Sequence, residues 1–195
     1  MATKPSTYVI LLRAIGPVTH RLMSMAAWRE ASAVAGFEAP ETLVNTGNMI
    51  AGFDGSAIRA SLVMADLLQG FGLGENVVPI VRKPSVLQRL IKADPIGEAA
   101  INRSNQTGVY FFAASKPDFS WLAAYDGPEA VHVVQDHLVI DFRGDVAQSG
   151  RLIRLIDKQC GVNTARNWNS VRRIAERCGM RDNSMRSASR STGGP

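Results

Sequence analysis

The chain has 195 residues, 46% of them hydrophobic, with 22 Lys/Arg against 17 Asp/Glu for a net charge of +5. That length and apolar content suffice to bury a core in one domain or two small ones, and they exclude a disordered chain as the default reading. No run approaches the roughly 18 apolar residues that a membrane span needs, and residues 1–7 carry no export signal, so a cytoplasmic protein is expected, with Cys160 and Cys178 reduced rather than bridged.

The charge is uneven. Residues 151–195 hold ten Lys/Arg against three acids, a surplus of seven, while the other 12 basic and 14 acidic residues leave −2. The pI of about 9.6 therefore belongs to the C-terminal quarter, which either attracts anionic partners, nucleic acid among them, or forms a solvated helix face and tail.

In chain order, the apolar run Tyr8 to Leu12 reads as a strand buried on both faces. After a loop with Gly16 and Pro17, the spacing of Met25, Trp28, Ala31, Ser32 and Ala35 predicts a helix stopped at Gly36. Thr42–Val44 and Met49–Phe53 are strands around the turn Asn45, Thr46, Gly47, Asn48, and Ser56 caps a helix along Ile58, Leu62, Ala65 and Leu68 that ends at Gly70 to Gly74. With a strand at Val77–Val81 the order is βαββαβ, the ferredoxin-like pattern of an antiparallel sheet covered by two helices.

Pro84 or Ser85 opens a connecting helix that Pro95 closes, and Asn102 to Gln106 reads as a loop. The order then restarts: a strand at Val109–Ala113, a short helix around Phe119 to Ala123, a hairpin of Val131–Val134 and Leu138–Phe142, and a helix through Leu152, Leu155 and Ile156 that ends at Gly161. Trp168, Val171, Ile174, Ala175 and Cys178 mark a last helix, capped by Thr164 or Asn167 and stopped at Gly179. The fold class expected is α+β: a ferredoxin-like half over 1–83, a connecting helix and loop over 84–106, a related second half over 107–182, and a disordered basic, Ser-rich tail over 183–195.

Enzyme signatures are missing. There is no Walker loop, no His-Glu-x-x-His and no nucleophile elbow, and the Gly70, Gly72, Gly74 cluster follows a helix instead of a strand. His20, His132 and His137 lack metal-ligand spacing, so neither a metal nor a cofactor is expected. Tyr8 and Phe53 alone would offer rings on the central strands, which disfavours base stacking on the sheet. Two polar elements remain. One is the turn Asn45, Thr46, Gly47, Asn48; the other is Arg166, Asn167, Trp168, Asn169 at a helix start, where an anion is favoured. Both residue sets also fit a plain structural use, as turn, cap and core.

Leu11, Leu12 and Arg13, Met25, Gly36 and Phe37, Thr42 with Gly47 and Asn48, and Gly161 with Arg166, Asn167, Trp168, Asn169 and Val171 together resemble the bacterial family catalogued as domain of unknown function 1697. The similarity runs from about Tyr8 to Ala175, and the Arg-Asn-Trp-Asn box is its most specific part. The resemblance implies an α+β fold with ferredoxin-like halves and no established activity. The chain departs from the family where Ala14, Gly16 and Pro17 replace Gly-Ile-Asn and a glycine pair, where Asn45 and Thr46 replace Gln-Ser, and where only Ser149 remains of a Ser-Lys-Leu-Thr-Asn run.

Function is thus expected to be a non-catalytic module in which Arg13, Asn45 to Asn48, Ser149 and Arg166 to Asn169 meet a small anionic ligand or nucleic-acid phosphate. The alternatives are a homodimeric interaction protein whose polar boxes fasten the fold, and an enzyme using Ser149, His20 or Asp141 with Arg166 as a clamp. Whether Arg13, Asn48 and Arg166 share an open pocket or satisfy one another decides between binding and fastening.

Overall fold

A computed structural model describes residues 5–43 and 46–191, the side chains of 184–191 excepted. Strand β1 (Ser6–Leu12) is buried from Tyr8 to Leu12 because the sheet it centres is covered on both faces. Tyr8, Ile10 and Leu12 face one core while Val9 and Leu11 face another, the two-residue alternation of a pleated strand.

A short helix α1 (Pro17–Leu22) lies where a loop is expected. Helix α2 (Met25–Val34) starts at Ser24, whose hydroxyl accepts from the Ala27 amide at 3.1 Å. It ends where Gly36, at φ 91°, lets the Phe37 amide reach back to Ser32 O, a Schellman stop. Strands β2 (Glu38–Leu43) and β3 (Asn48–Phe53) follow, then α3 (Ala57–Gly70) capped by Ser56, and β4 (Pro79–Arg82). The glycines after α3 do stop it: Gly72 sits at φ 72° and the Leu73 amide bonds Leu68 O. The first sheet has the antiparallel order β2-β3-β1-β4, with α2 and α3 over the face carrying Tyr8, Ile10, Leu12 and Met49.

Helix α4 (Pro84–Ala93) ends at Asp94, in the left-handed region before Pro95. The predicted loop around Asn102 holds helix α5 (Glu98–Asn102) and a 3-10 turn at Ser104–Gln106. In the second half, β5 (Thr107–Phe112) precedes a 3-10 turn at Ser120–Ala124, the hairpin β6 (Ala130–Val134) and β7 (His137–Asp141), and α6 (Gly150–Cys160).

Two further elements correct the sequence reading. Asn163–Arg166, expected to lead into a helix, is strand β8, antiparallel to β5 with Val109 opposite Arg166 and Phe112 opposite Asn163. Asn-Thr-Ala-Arg has little intrinsic strand preference; pairing overrides it, and Asn163 is tied down by bonds from its amide to Asp157 at 2.7 Å and Gly161 O at 2.8 Å. The second sheet then has the order β6-β7-β5-β8, matching the first strand for strand.

The last helix, α7 (Trp168–Ser191), passes through Gly179 and into the segment expected to be a disordered tail. A glycine inside a helix costs about 1 kcal/mol, and contacts beyond it offset that cost. Arg181 donates to Glu38 O at 2.9 Å and Ala39 O at 2.7 Å, where β2 bulges with Ala39 at φ 42°.

Between the sheets, Val9, Leu11, Ile50 and Ile80 of the first meet Val109, Phe111 and Val139 of the second, with Leu87 and Leu90 of α4 and Trp168, Val171 and Ile174 of α7. The halves thus share one central core, while Tyr110, Phe112 and Leu138 pack under α6 in an outer one. Among the described residues no helix is long and apolar enough to cross a membrane.

Candidate functional site

Arg166 ends β8 and reaches across to the first half. Its Nε donates to Asn48 Oδ1 at 2.5 Å, Nη1 to Thr164 Oγ1 at 2.7 Å and Ala165 O at 2.8 Å, and Nη2 to Leu12 O at 2.8 Å and Thr46 O at 3.0 Å. Those acceptors take all five N–H donors of a guanidinium. Burial pushes its pKa down to about 10, which leaves the side chain charged at neutral pH.

Asn48 is fully buried and equally committed: its Nδ2 donates to Leu43 O at 3.2 Å and Thr46 Oγ1 at 2.9 Å. Gly47, at φ 74°, accepts from the Leu12 amide at 2.8 Å. Only a residue without Cβ fits there, because a Cβ would lie 2.5 Å from Ile15 Cγ1. Half-buried Arg166 and fully buried Asn48 satisfy each other and have the geometry of fasteners.

The remaining expected site residues disperse. Asn45 lies outside the described residues, as does Val44 at the end of the expected strand. Arg13 is half-buried, its amide bonds Val78 O at 2.9 Å, and it does not line the shallow cavity of about 280 Å³ beside Arg166, though its neighbours Leu12 and Ala14 do. Asn167 caps α7 by accepting from the Ser170 amide at 2.8 Å, Trp168 is buried in the central core, and Asn169 Nδ2 donates to Ser104 Oγ at 2.5 Å. Ser149 is buried in the second half and hydrogen-bonds Glu129. Burial would raise the Glu129 carboxyl, but the bonds to Ser149 and Tyr125 outweigh it and hold the group below its ordinary value.

The sheets reveal a counterpart that the sequence reading missed. Arg82 ends β4 opposite Val9 as Arg166 ends β8 opposite Val109. It reaches the other way, donating through Nη2 to Phe112 O and through Nε to His137 Nε2 at 3.4 Å. His137 opens β7 as Asn48 opens β3. Recognising β8, and laying it over β4, would have exposed the pair.

His137 is buried, and burial together with the Arg82 charge pushes its pKa down to about 4, against opposing pulls from Asp136 and the Val134 backbone. The ring is therefore neutral, with Nε2 accepting and the proton on Nδ1. That Nδ1 makes no hydrogen bond of normal geometry among the described residues. Phe111 meets the ring edge-on, with centroids 5.2 Å apart.

Around Arg82 opens a cleft of about 510 Å³, lined by Ile58, Leu62 and Val86 and by the polar residues Arg89, Gln135 and Asp136. Arg89 Nε donates to Gln135 Oε1 at 3.1 Å. The other Arg82 bond is from Nη1 to Val81 O at 2.9 Å, so Nη hydrogens remain without a partner among the described residues. Arg166 has none to spare.

No group of three or more His, Cys, Asp or Glu is placed to hold a metal among the described residues. Cys160 and Cys178 are buried and free, and burial raises both thiols. Tyr8 and Phe53 lie under the helices, which removes the sheet as a base-stacking surface.

Two ferredoxin-like halves of matching strand order, packed sheet to sheet and pinned by reciprocal arginines, define an α+β protein of duplicated architecture. The chain belongs to the family described as protein of unknown function (DUF1697), whose model matches residues 6–138. The matched stretch contains β1 through the start of β7 and ends before Arg166 to Asn169, so that box lies outside it. The fold is similar to that of a solved structure, the conserved bacterial protein SP0830 from Streptococcus pneumoniae, with a TM-score of 0.69 at 14% identity over 89% of this chain and 98% of that one. No curated protein matches the sequence.

Proposed function

We propose that the chain is a non-catalytic module that binds a small anionic ligand, and that the ligand sits in the cleft between the halves at Arg82 and Arg89 instead of at the Arg166 box. The carrying observation is the contrast between the two arginines: Arg166 has every donor committed, whereas Arg82 keeps Nη hydrogens for a guest on the cleft wall. A cleft of about 510 Å³ falls in the range of about 300–1,000 Å³ typical of small-molecule sites. Two guanidiniums face a single carboxylate there, Asp136.

The basic last helix weakens the case for nucleic acid, because several of its cations, though exposed, already have partners within the chain. Arg177 pairs with Glu41 at 2.7 Å, Arg172 lies 3.9 Å from Glu176, and Arg181 is spent on strand carbonyls. Calorimetric titration with inorganic phosphate, nucleoside monophosphates, short-chain and medium-chain carboxylates and a polynucleotide tests the reading. Saturable 1:1 binding of a small anion, lost in Arg89→Ala and kept in Arg173→Ala, is expected. No binding of any small anion, or retention of polynucleotide alone with Arg89→Ala unchanged, would overturn it.

A further inference from the structure

We infer that the ligand of this cleft is amphiphilic, an anionic head on an apolar body. The inference rests on the reading of the cleft as an anion site and specifies what kind of anion it takes. Ile58 and Leu62 stand one turn apart on α3, are 76% and 62% exposed, and both line the cleft. A solvated helix face ordinarily carries polar groups at such spacing, and single exposed apolar residues need no explanation, but here two neighbours flank one opening. Val86 of α4 and the small residues Ala113 and Ala114 after β5 add to the apolar lining, with Ser61 and Ser115 among them.

The polar groups of the cleft are linked to one another. Arg82 is half-buried on the floor, held in place by Phe112 O and His137, and Arg89 is aimed by Gln135. A head bearing one negative charge meets two guanidiniums there, with Asp136 as the one opposing carboxylate. The apolar body then lies along Ile58 and Leu62, covering surface that water otherwise wets. A phosphate or acetate ion would leave that wall bare, and an uncharged alkane would leave the arginines unmatched. Monocarboxylates and monoalkyl phosphates with a chain of several carbons share the chemistry that satisfies both ends.

The equivalent position in the other half is not built this way. There the cavity beside Arg166 is about 280 Å³, and Thr46, Asn167 and Ser170 line it together with Leu12, Ala14 and Ile15. No residue of α6 lines that cavity as Ile58 and Leu62 of α3 line the Arg82 cleft, so this exposed apolar pair does not follow from the repeated fold.

Calorimetry with acetate, butanoate, hexanoate, octanoate and octanol provides the test. Affinity is expected to rise by roughly fourfold per methylene, the equivalent of about 0.8 kcal/mol, until the wall is covered, and octanol is expected to bind at least tenfold more weakly than octanoate. Leu62→Ser, at an exposed position that spares the core, should flatten the chain-length dependence, while Arg89→Ala should weaken every acid by a similar factor. Acetate or phosphate binding as tightly as octanoate would overturn this inference yet leave the anion site standing. Octanol matching octanoate, or Leu62→Ser leaving octanoate binding unchanged, would also overturn it, and no binding by any probe would remove both.

Discussion

Arg82 and Arg166 hold equivalent positions at the ends of the two outer strands β4 and β8, and each donates through Nη2 to the last carbonyl of the opposite half's first strand, Phe112 or Leu12. Each also donates through Nε to the residue that opens the opposite third strand, His137 or Asn48. The halves are therefore stitched twice by one device. Besides the spare Nη hydrogens of Arg82, the two stitches differ in what Nε meets: a neutral imidazole accepts in one, an amide in the other.

That difference makes stability pH-dependent at one stitch. His137 has a folded pKa of about 4 against an ordinary 6.5, so between these values the unfolded chain binds a proton that the folded chain does not. Its contribution is fully present above about pH 6.5 and is lost as pH falls toward 4, on the order of 3 kcal/mol in all. His137→Asn copies the Asn48 stitch and should keep the fold while flattening this part of the profile. Urea unfolding of both proteins from pH 7 to pH 4.5 checks it; parallel profiles would remove His137 as the cause.

Gly47 sits at φ 74°, and a Cβ there would lie 2.5 Å from Ile15 Cγ1 and 3.0 Å from Leu12 Cβ. Gly47→Ala is expected to cost about 1–3 kcal/mol from backbone strain and overpacking combined. A denaturation midpoint equal to that of the parent would show that the turn relaxes without penalty.

Cys178 is buried in the central core, and burial, helped by Asp182, pushes its thiol up to about 12. Cys160 is also raised, first by burial. Since the thiolate is the reactive form, neither should be alkylated at pH 8 in the native protein, and both should react once it is unfolded. Stoichiometric labelling within minutes under native conditions, read by mass spectrometry, would contradict the packing described for them.

Much of the fold was legible because periodicity was strong. Tyr8 to Leu12 could only be a strand buried on both faces, and Gly36, Ser56 and Gly72 mark helix ends by local chemistry that tertiary contacts did not override. Strand β8 was not legible, since Asn-Thr-Ala-Arg has neither alternation nor β-branched bulk and is set by its pairing with β5. The run of α7 past Gly179 was equally hidden, because the bonds that hold it go to carbonyls of a bulge in β2.

The candidate site was half legible. Sequence singled out Arg166 and Asn48, which do meet, but composition could not tell a saturated guanidinium from an open one. Arg82 and His137 carried no local signal. Their pairing comes from long-range sheet packing, which brings β4 and β7 together across the shared core.

The account rests most directly on Arg166 and Asn48 acting as one fastener across the halves. A double-mutant cycle with Arg166→Ala and Asn48→Ala, read by urea unfolding at pH 7, measures their coupling. Each single variant should lose on the order of 3 kcal/mol, because Asn48 Oδ1 or the guanidinium Nε loses the charge-assisted bond that joins them. The double variant should lose at least about 1.5 kcal/mol less than the two losses added together. Additive losses, or an Arg166→Ala variant as stable as the parent, would contradict it.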